Sequence, residues 1–117
     1  MGGGIGTPER SAEYLTGSWA LAYGYRGIAY NTKAKGLAVG SEERKRYLDQ
    51  ALADHTKLIA LDPSASASWG QRGVDYLDLG DNEKAIADFR HALALNPQAS
   101  SRELLIGQLK DLGVDAQ

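Results

Sequence analysis

The sequence predicts an all-α protein, a stack of antiparallel helix pairs. Three observations predict it. Apolar residues recur at spacings of three and four in stretches around residues 47–59, 69–77 and 85–95, one helix face each time. The chain also matches itself at an offset of 34 residues: Asp62-Pro63 falls on Asn96-Pro97, Ala51 on Ala85, His55 on Phe89, Leu58 on Ala92, Ile59 on Leu93 and Leu61 on Leu95. Finally, prolines and glycines stand where such helices should start and stop, at Pro8, Gly80 and Pro97.

Residues 1–7 read as a flexible lead. Their glycines come near the N-myristoylation pattern, but Gly6 stands where that pattern needs Ser or Thr. Thr7-Pro8-Glu9 is a helix start, a capping residue followed by proline at the first helical position. Residues 8–16 should form a short helix, before or merging into a first repeat helix at Ser18.

The segment Tyr25–Tyr30 (YRGIAY) matches Gln71–Tyr76 (QRGVDY), but at an offset of 46. The first copy, about residues 20–63, therefore carries a 12-residue insertion relative to the second, residues 64–97. The insertion lies within Asn31–Asp49. Shared between two antiparallel helices, it adds about six residues to each, roughly 1.7 turns. The first hairpin should protrude, with a mildly apolar tip near Gly36–Gly40 carrying Leu37 and Val39. Ser41 is a capping residue, with Glu42 and Glu43 in the first turn, where carboxylates suit the helix dipole. Tyr47, Leu48, Ala51, Leu52, His55, Leu58 and Ile59 then share one stripe, and His55 is read as a packed core residue.

In the second copy, Ser64 or Ser66 is expected to cap a helix whose inner face carries Trp69, Gly73, Tyr76 and Leu77. A mid-helix glycine costs about 1 kcal/mol relative to alanine. Gly73 is therefore read as a point of close approach for the next helix. Gly80 ends that helix, Asp81 or Asn82 caps the following one, and Ala85, Ile86, Phe89, Ala92, Leu93 and Leu95 form its stripe. After Pro97, Ser100 or Ser101 should cap a last helix, about residues 101–113, with Gly107 standing 34 residues after Gly73. It reads as a terminal capping helix with a polar outer face, followed by a tail at 114–117. The whole of 8–113 is expected to be a single domain.

The second copy, read as Trp69, Gly73, Tyr76, Gly80, Ala85, Phe89, Ala92-Leu93 and Pro97, resembles the tetratricopeptide repeat family. Arg72 departs from it, standing where leucine is usual. In the first copy Tyr23 occupies the Trp position, with Gly27, Tyr30 and His55 following. The resemblance implies a right-handed superhelical α-solenoid that presents a concave groove, lined by the first helix of each pair, to a peptide or helix. It places Leu21, Gly24, Tyr25, Ile28 and Thr32 of the first copy, and Ala67, Gly70, Gln71, Val74 and Asp78 of the second, in that groove. One subset of the family clamps a C-terminal carboxylate with Lys and Asn. Here Gly24 and Gly70 stand at the Lys position, and Ile28 and Val74 at the Asn position, so that clamp is absent. The groove should be small, apolar and tyrosine-bearing, suited to an apolar peptide or amphipathic helix.

Composition narrows the remaining function classes. A net charge of −2 gives no basic excess to track a phosphate backbone, so nucleic acid is not an expected partner. With no cysteine, disulfides, thiolate metal sites and cysteine nucleophiles are excluded. No apolar run approaches the ~20 residues of a membrane span, so no membrane partner is expected and a cytoplasmic location is the default. Asp88 and His91 share a helix face, but two ligands make no metal site, and no catalytic constellation is present. The chain is therefore read as a non-enzymatic, cofactor-free protein-protein interaction module. The alternatives are a structural or homo-oligomerisation module, since solenoids normally need about three repeats, and a fragment of a larger multi-repeat protein.

Overall fold

The computed structural model describes residues 8–116, and side chains from Trp19 onward. Five helices follow in order: α1 (Pro8–Lys35), α2 (Glu42–Leu61), α3 (Ser66–Asp78), α4 (Asn82–Ala94) and α5 (Ala99–Asp111). No strand occurs among the described residues. The fold is all-α, two helical hairpins (α1–α2 and α3–α4) stacked side by side, with α5 laid against α4. The expected short N-terminal helix is part of α1, which runs unbroken from Pro8; Thr7 lies outside the described residues.

The insertion is divided unevenly. At the 34-residue offset the first residue of α4, Asn82, falls on Leu48, and α2 begins six residues earlier, at Glu42. At the 46-residue offset the last residue of α3, Asp78, falls on Thr32, and α1 ends three residues later, at Lys35. The turn absorbs the other three. Six residues join α1 to α2, against three between α3 and α4. The turn can afford the extra length because it is pinned. Ser41 Oγ accepts from Arg44 N at 3.2 Å, the expected cap. Arg44 Nη1 reaches back to donate to Ala34 O at 2.9 Å, a second donor on a carbonyl that already accepts from Leu37 N, so the end of α1 is held to the start of α2. Gly40 takes φ +86°, the left-handed region that glycine enters without penalty.

The caps of the second hairpin fall partly elsewhere than the sequence suggests. Asp81 caps α4 by accepting from Lys84 N at 3.2 Å. At α3, however, the capping residue is Ala65, with no side-chain bond. Ser64 instead bonds Asp62 Oδ1 through both N and Oγ, and Ser66 Oγ donates to Ala92 O at 2.8 Å, tying the start of α3 to α4. α5 starts at Ala99 behind Gln98, ahead of both serines proposed for it. Asn96, not Pro97, closes α4, in the left-handed region at φ 58°.

Both hairpins are closed at a glycine. A Cβ added to Gly73 would stand 2.5 Å from Phe89 Cε1, and one added to Gly27 would stand 2.6 Å from His55 Nε2. Phe89 is fully buried, and Ala85 and Ala92 on its own helix leave it room. Phe89, Leu105 and Leu109 continue that core from α4 into α5. After α5, Val114 and Ala116 turn back onto the same cluster. α5 is less polar than expected of a capping helix: two apolar side chains, Leu104 and Ile106, are exposed.

Candidate functional site

The first helices of the two hairpins and α5 lie side by side, and two adjoining cavities open along them. One, of about 430 Å³, lies between α1 and α3, lined by Ala20, Leu21, Gly24, Tyr25, Ile28, Leu58, Ala67, Ser68 and Gln71. The other, of about 330 Å³, lies between α3 and α5, lined by Ser66, Ala67, Gly70, Gln71, Val74, Phe89, Ser101, Leu104, Leu105 and Gln108. Ala67 and Gln71 border both, so the cavities meet across α3. Among the described residues, neither has a charged side chain in its lining. Glycines make the depth: a Cβ on Gly24 would touch Leu58 Cδ1 at 3.4 Å, and one on Gly70 would touch Leu105 Cδ2 at 3.4 Å. The apolar rim is open to solvent, with Leu21 56%, Tyr25 69%, Ile28 44% and Leu104 73% exposed.

Of the residues the sequence assigns to a groove, Leu21, Gly24, Tyr25 and Ile28 thus line the first cavity, and Ala67, Gly70, Gln71 and Val74 the second or both. Thr32 is exposed and lines neither. Asp78 points into a polar cluster instead, accepting from Asn31 Nδ2 at 3.0 Å beside Lys35 Nζ at 3.9 Å. The contribution of α5 is absent from the sequence reading. The 34-residue offset carries it: Ser101, Leu104 and Gln108 fall on Ala67, Gly70 and Val74.

Behind the cavities, each hairpin is clipped by the same ion pair. Arg26 Nε and Nη2 donate to Asp54 at 2.9 and 2.8 Å, and Arg72 Nε and Nη2 donate to Asp88 at 2.8 and 2.9 Å. The arginines are related by the 46-residue offset and the aspartates by the 34-residue offset. Each guanidinium also sits near two rings, Arg26 near Tyr23 and Tyr30, Arg72 near Trp69 and Tyr76. The hydrogen bonds to Asp54 and Asp88 hold both guanidinium groups further above their ordinary value, against the opposing effect of burial. Asp88 is thus committed to Arg72, while His91 stacks on Trp69 at 3.7 Å between centroids. Among the described residues, no group of three or more His, Asp or Glu could hold a metal ion. No helix among them is long and apolar enough to cross a membrane.

The tetratricopeptide repeat family model matches residues 66–99, which are α3, α4 and the link to α5. Residues 66–99 are a tetratricopeptide repeat. No curated protein and no solved structure gives a match to the chain. The tetratricopeptide repeat is a helical hairpin whose arrays stack neighbour on neighbour, and such repeats are typically scaffolds for contact between proteins. Arg72 is read here as a substitution with a partner, since Asp88 supplies the charge that makes an arginine tolerable at a half-buried position.

Proposed function

We propose that the chain is a non-catalytic interaction module that holds an apolar peptide or amphipathic helix of another protein in the groove formed by α1, α3 and α5. The observation that carries this reading is the pair of adjoining cavities with no charged side chain among their described lining residues, rimmed by exposed Leu21, Tyr25, Ile28 and Leu104. Contiguous exposed apolar surface of this kind marks interaction sites on soluble proteins. A helix laid in such a groove is held by apolar anchors along one face. The first hairpin is read as a second, diverged repeat, because it reproduces the glycine notch and the arginine–aspartate clip at the same two offsets.

The experiment is affinity capture with the parent and an Ile28→Glu, Leu104→Glu variant, both side chains being solvent-exposed so that the fold is retained. Loss of a specifically captured protein in the variant supports the groove. Capture of the same proteins by both removes it. Self-association is a second reading, favoured by exposed Leu104 and Ile106 on α5. Light scattering across a dilution series separates the two, since a monomer at all concentrations eliminates self-association.

A further inference from the structure

The seam between the two hairpins contains a buried charge system that the groove does not use. His55 (α2) and Asp75 (α3) are 1% and 0% exposed, and His55 Nδ1 is hydrogen-bonded to Asp75 Oδ2. The other carboxylate oxygen, Oδ1, accepts from Asn31 Nδ2 of α1 at 2.9 Å, so the cluster joins three helices. On the far side of the ring, His55 Nε2 has no hydrogen-bond partner and abuts Gly27. The other charged groups around it are already paired. From α3, Asp78 shares the Asn31 amide and lies beside Lys35 of α1. Asp54, next to His55 on α2, is held by Arg26 of α1. On the opposite flank of α3, Arg72 and Asp88 satisfy each other.

With those pairs closed, the charge state of the seam is set by one proton. An imidazolium against a carboxylate, or a neutral pair, leaves no net charge in the interior. Removing that proton leaves an Asp75 carboxylate with no opposing charge, which a low-dielectric interior opposes strongly. We propose that the His55–Asp75 pair is a proton-operated latch between the hairpins, closed when the pair holds one proton and loosened when that proton is lost.

The sign follows from linkage. Burial pushes the Asp75 carboxyl above its ordinary range, more than the hydrogen bonds from His55 and Asn31 lower it. A group that binds its proton more tightly in the folded chain stabilises the fold below its unfolded pKa, and that stability is lost as pH rises through the folded value. Because the two groups are coupled, the loss belongs to the pair rather than to either residue. Loosening the seam separates α2 from α3 beneath the cavity lined by Leu58, Ala67 and Ser68. That consequence rests on the groove reading above, whereas the latch does not.

The test is thermal unfolding of the full chain from about pH 3 to pH 9, spanning the ordinary carboxyl and histidine values of about 3.9 and 6.5. The parent is compared with a His55→Phe, Asp75→Leu double variant, which copies Phe89 and Leu109 from the equivalent places one period on. The parent midpoint is expected to fall by about 5 °C or more across the range relative to the double variant, a shift typical of a lost interaction in a domain this size. Parallel profiles for parent and double variant would overturn the latch. If the double variant does not fold, His55→Gln, which cannot carry the charge, replaces it. A parent-like slope in His55→Gln overturns the proposal equally.

Discussion

Where α4 meets α5, Phe89, Leu105 and Leu109 close a dry seam. Where α2 meets α3, His55 and Asp75 stand at the equivalents of Phe89 and Leu109, and Asn31 reaches in from α1. The backbone geometry is the same, since a glycine receives a ring in both hairpins. The difference is chemical. Apolar contact is non-directional and tolerates small shifts, whereas the polar seam has fixed partners and leaves His55 Nε2 unsatisfied. One stack can thus join a tolerant seam to a demanding one without changing its frame.

The most disruptive way to break this comparison is Gly73→Leu. Its side chain would have to displace a fully buried ring, and overpacking of this kind costs up to about 3 kcal/mol or more. Urea unfolding should show the loss, and an unchanged midpoint would refute the close approach. Asp75→Ala comes next. It leaves His55 Nδ1 and part of the Asn31 amide buried without partners, at about 1–3 kcal/mol. Adding His55→Phe should recover part of that loss, while a purely additive double mutant would mean the two residues are not coupled. The two clips should then differ. The Arg72 side chain is 18% exposed and that of Arg26 58%, so Arg72→Ala should destabilise by about 2 kcal/mol and Arg26→Ala by about 1 kcal/mol or less. Equal losses would show that burial does not set their worth. The smallest effect has the opposite sign. A Cβ on Gly107 meets nothing, so Gly107→Ala should stabilise by up to about 1 kcal/mol through helix propensity alone.

The hairpins, the glycine notches and most residues lining the two cavities were legible because they repeat. Gly27 and Gly73, Tyr30 and Tyr76, His55 and Phe89 recur at offsets that a comparison of the chain with itself exposes. The clips were equally available: Arg26 and Arg72 share one offset and Asp54 and Asp88 the other, yet Arg72 reads from sequence only as a departure from the family pattern and Asp88 only as a neighbour of His91. The polar seam was not legible. Asn31 and Asp75 are 44 residues apart, and nothing in a hydrophobic pattern pairs one polar residue with another. His55 was read as a packed core residue, and it is buried, but its partner is set by tertiary contact alone. The cap expected at α3 failed for a related reason. Ser66 prefers the Ala92 carbonyl across the hairpin to the backbone of its own helix, a choice that only the packed structure offers.

The substantial contacts in this molecule run between helices next to each other in the chain, with α1 also touching α3. Such a molecule has little sequence distance to close as it forms, and topologies dominated by local contacts fold quickly. It also need not open all at once. Amide hydrogen exchange should therefore divide along the stack, slowest in α2, α3 and α4, each packed on both sides, and faster in α5, which packs on α4 alone among its substantial contacts. Protection in α2 should weaken with α1 rather than with α4, because α2 packs most extensively on α1 and meets the second hairpin chiefly through the seam built on His55 and Asp75.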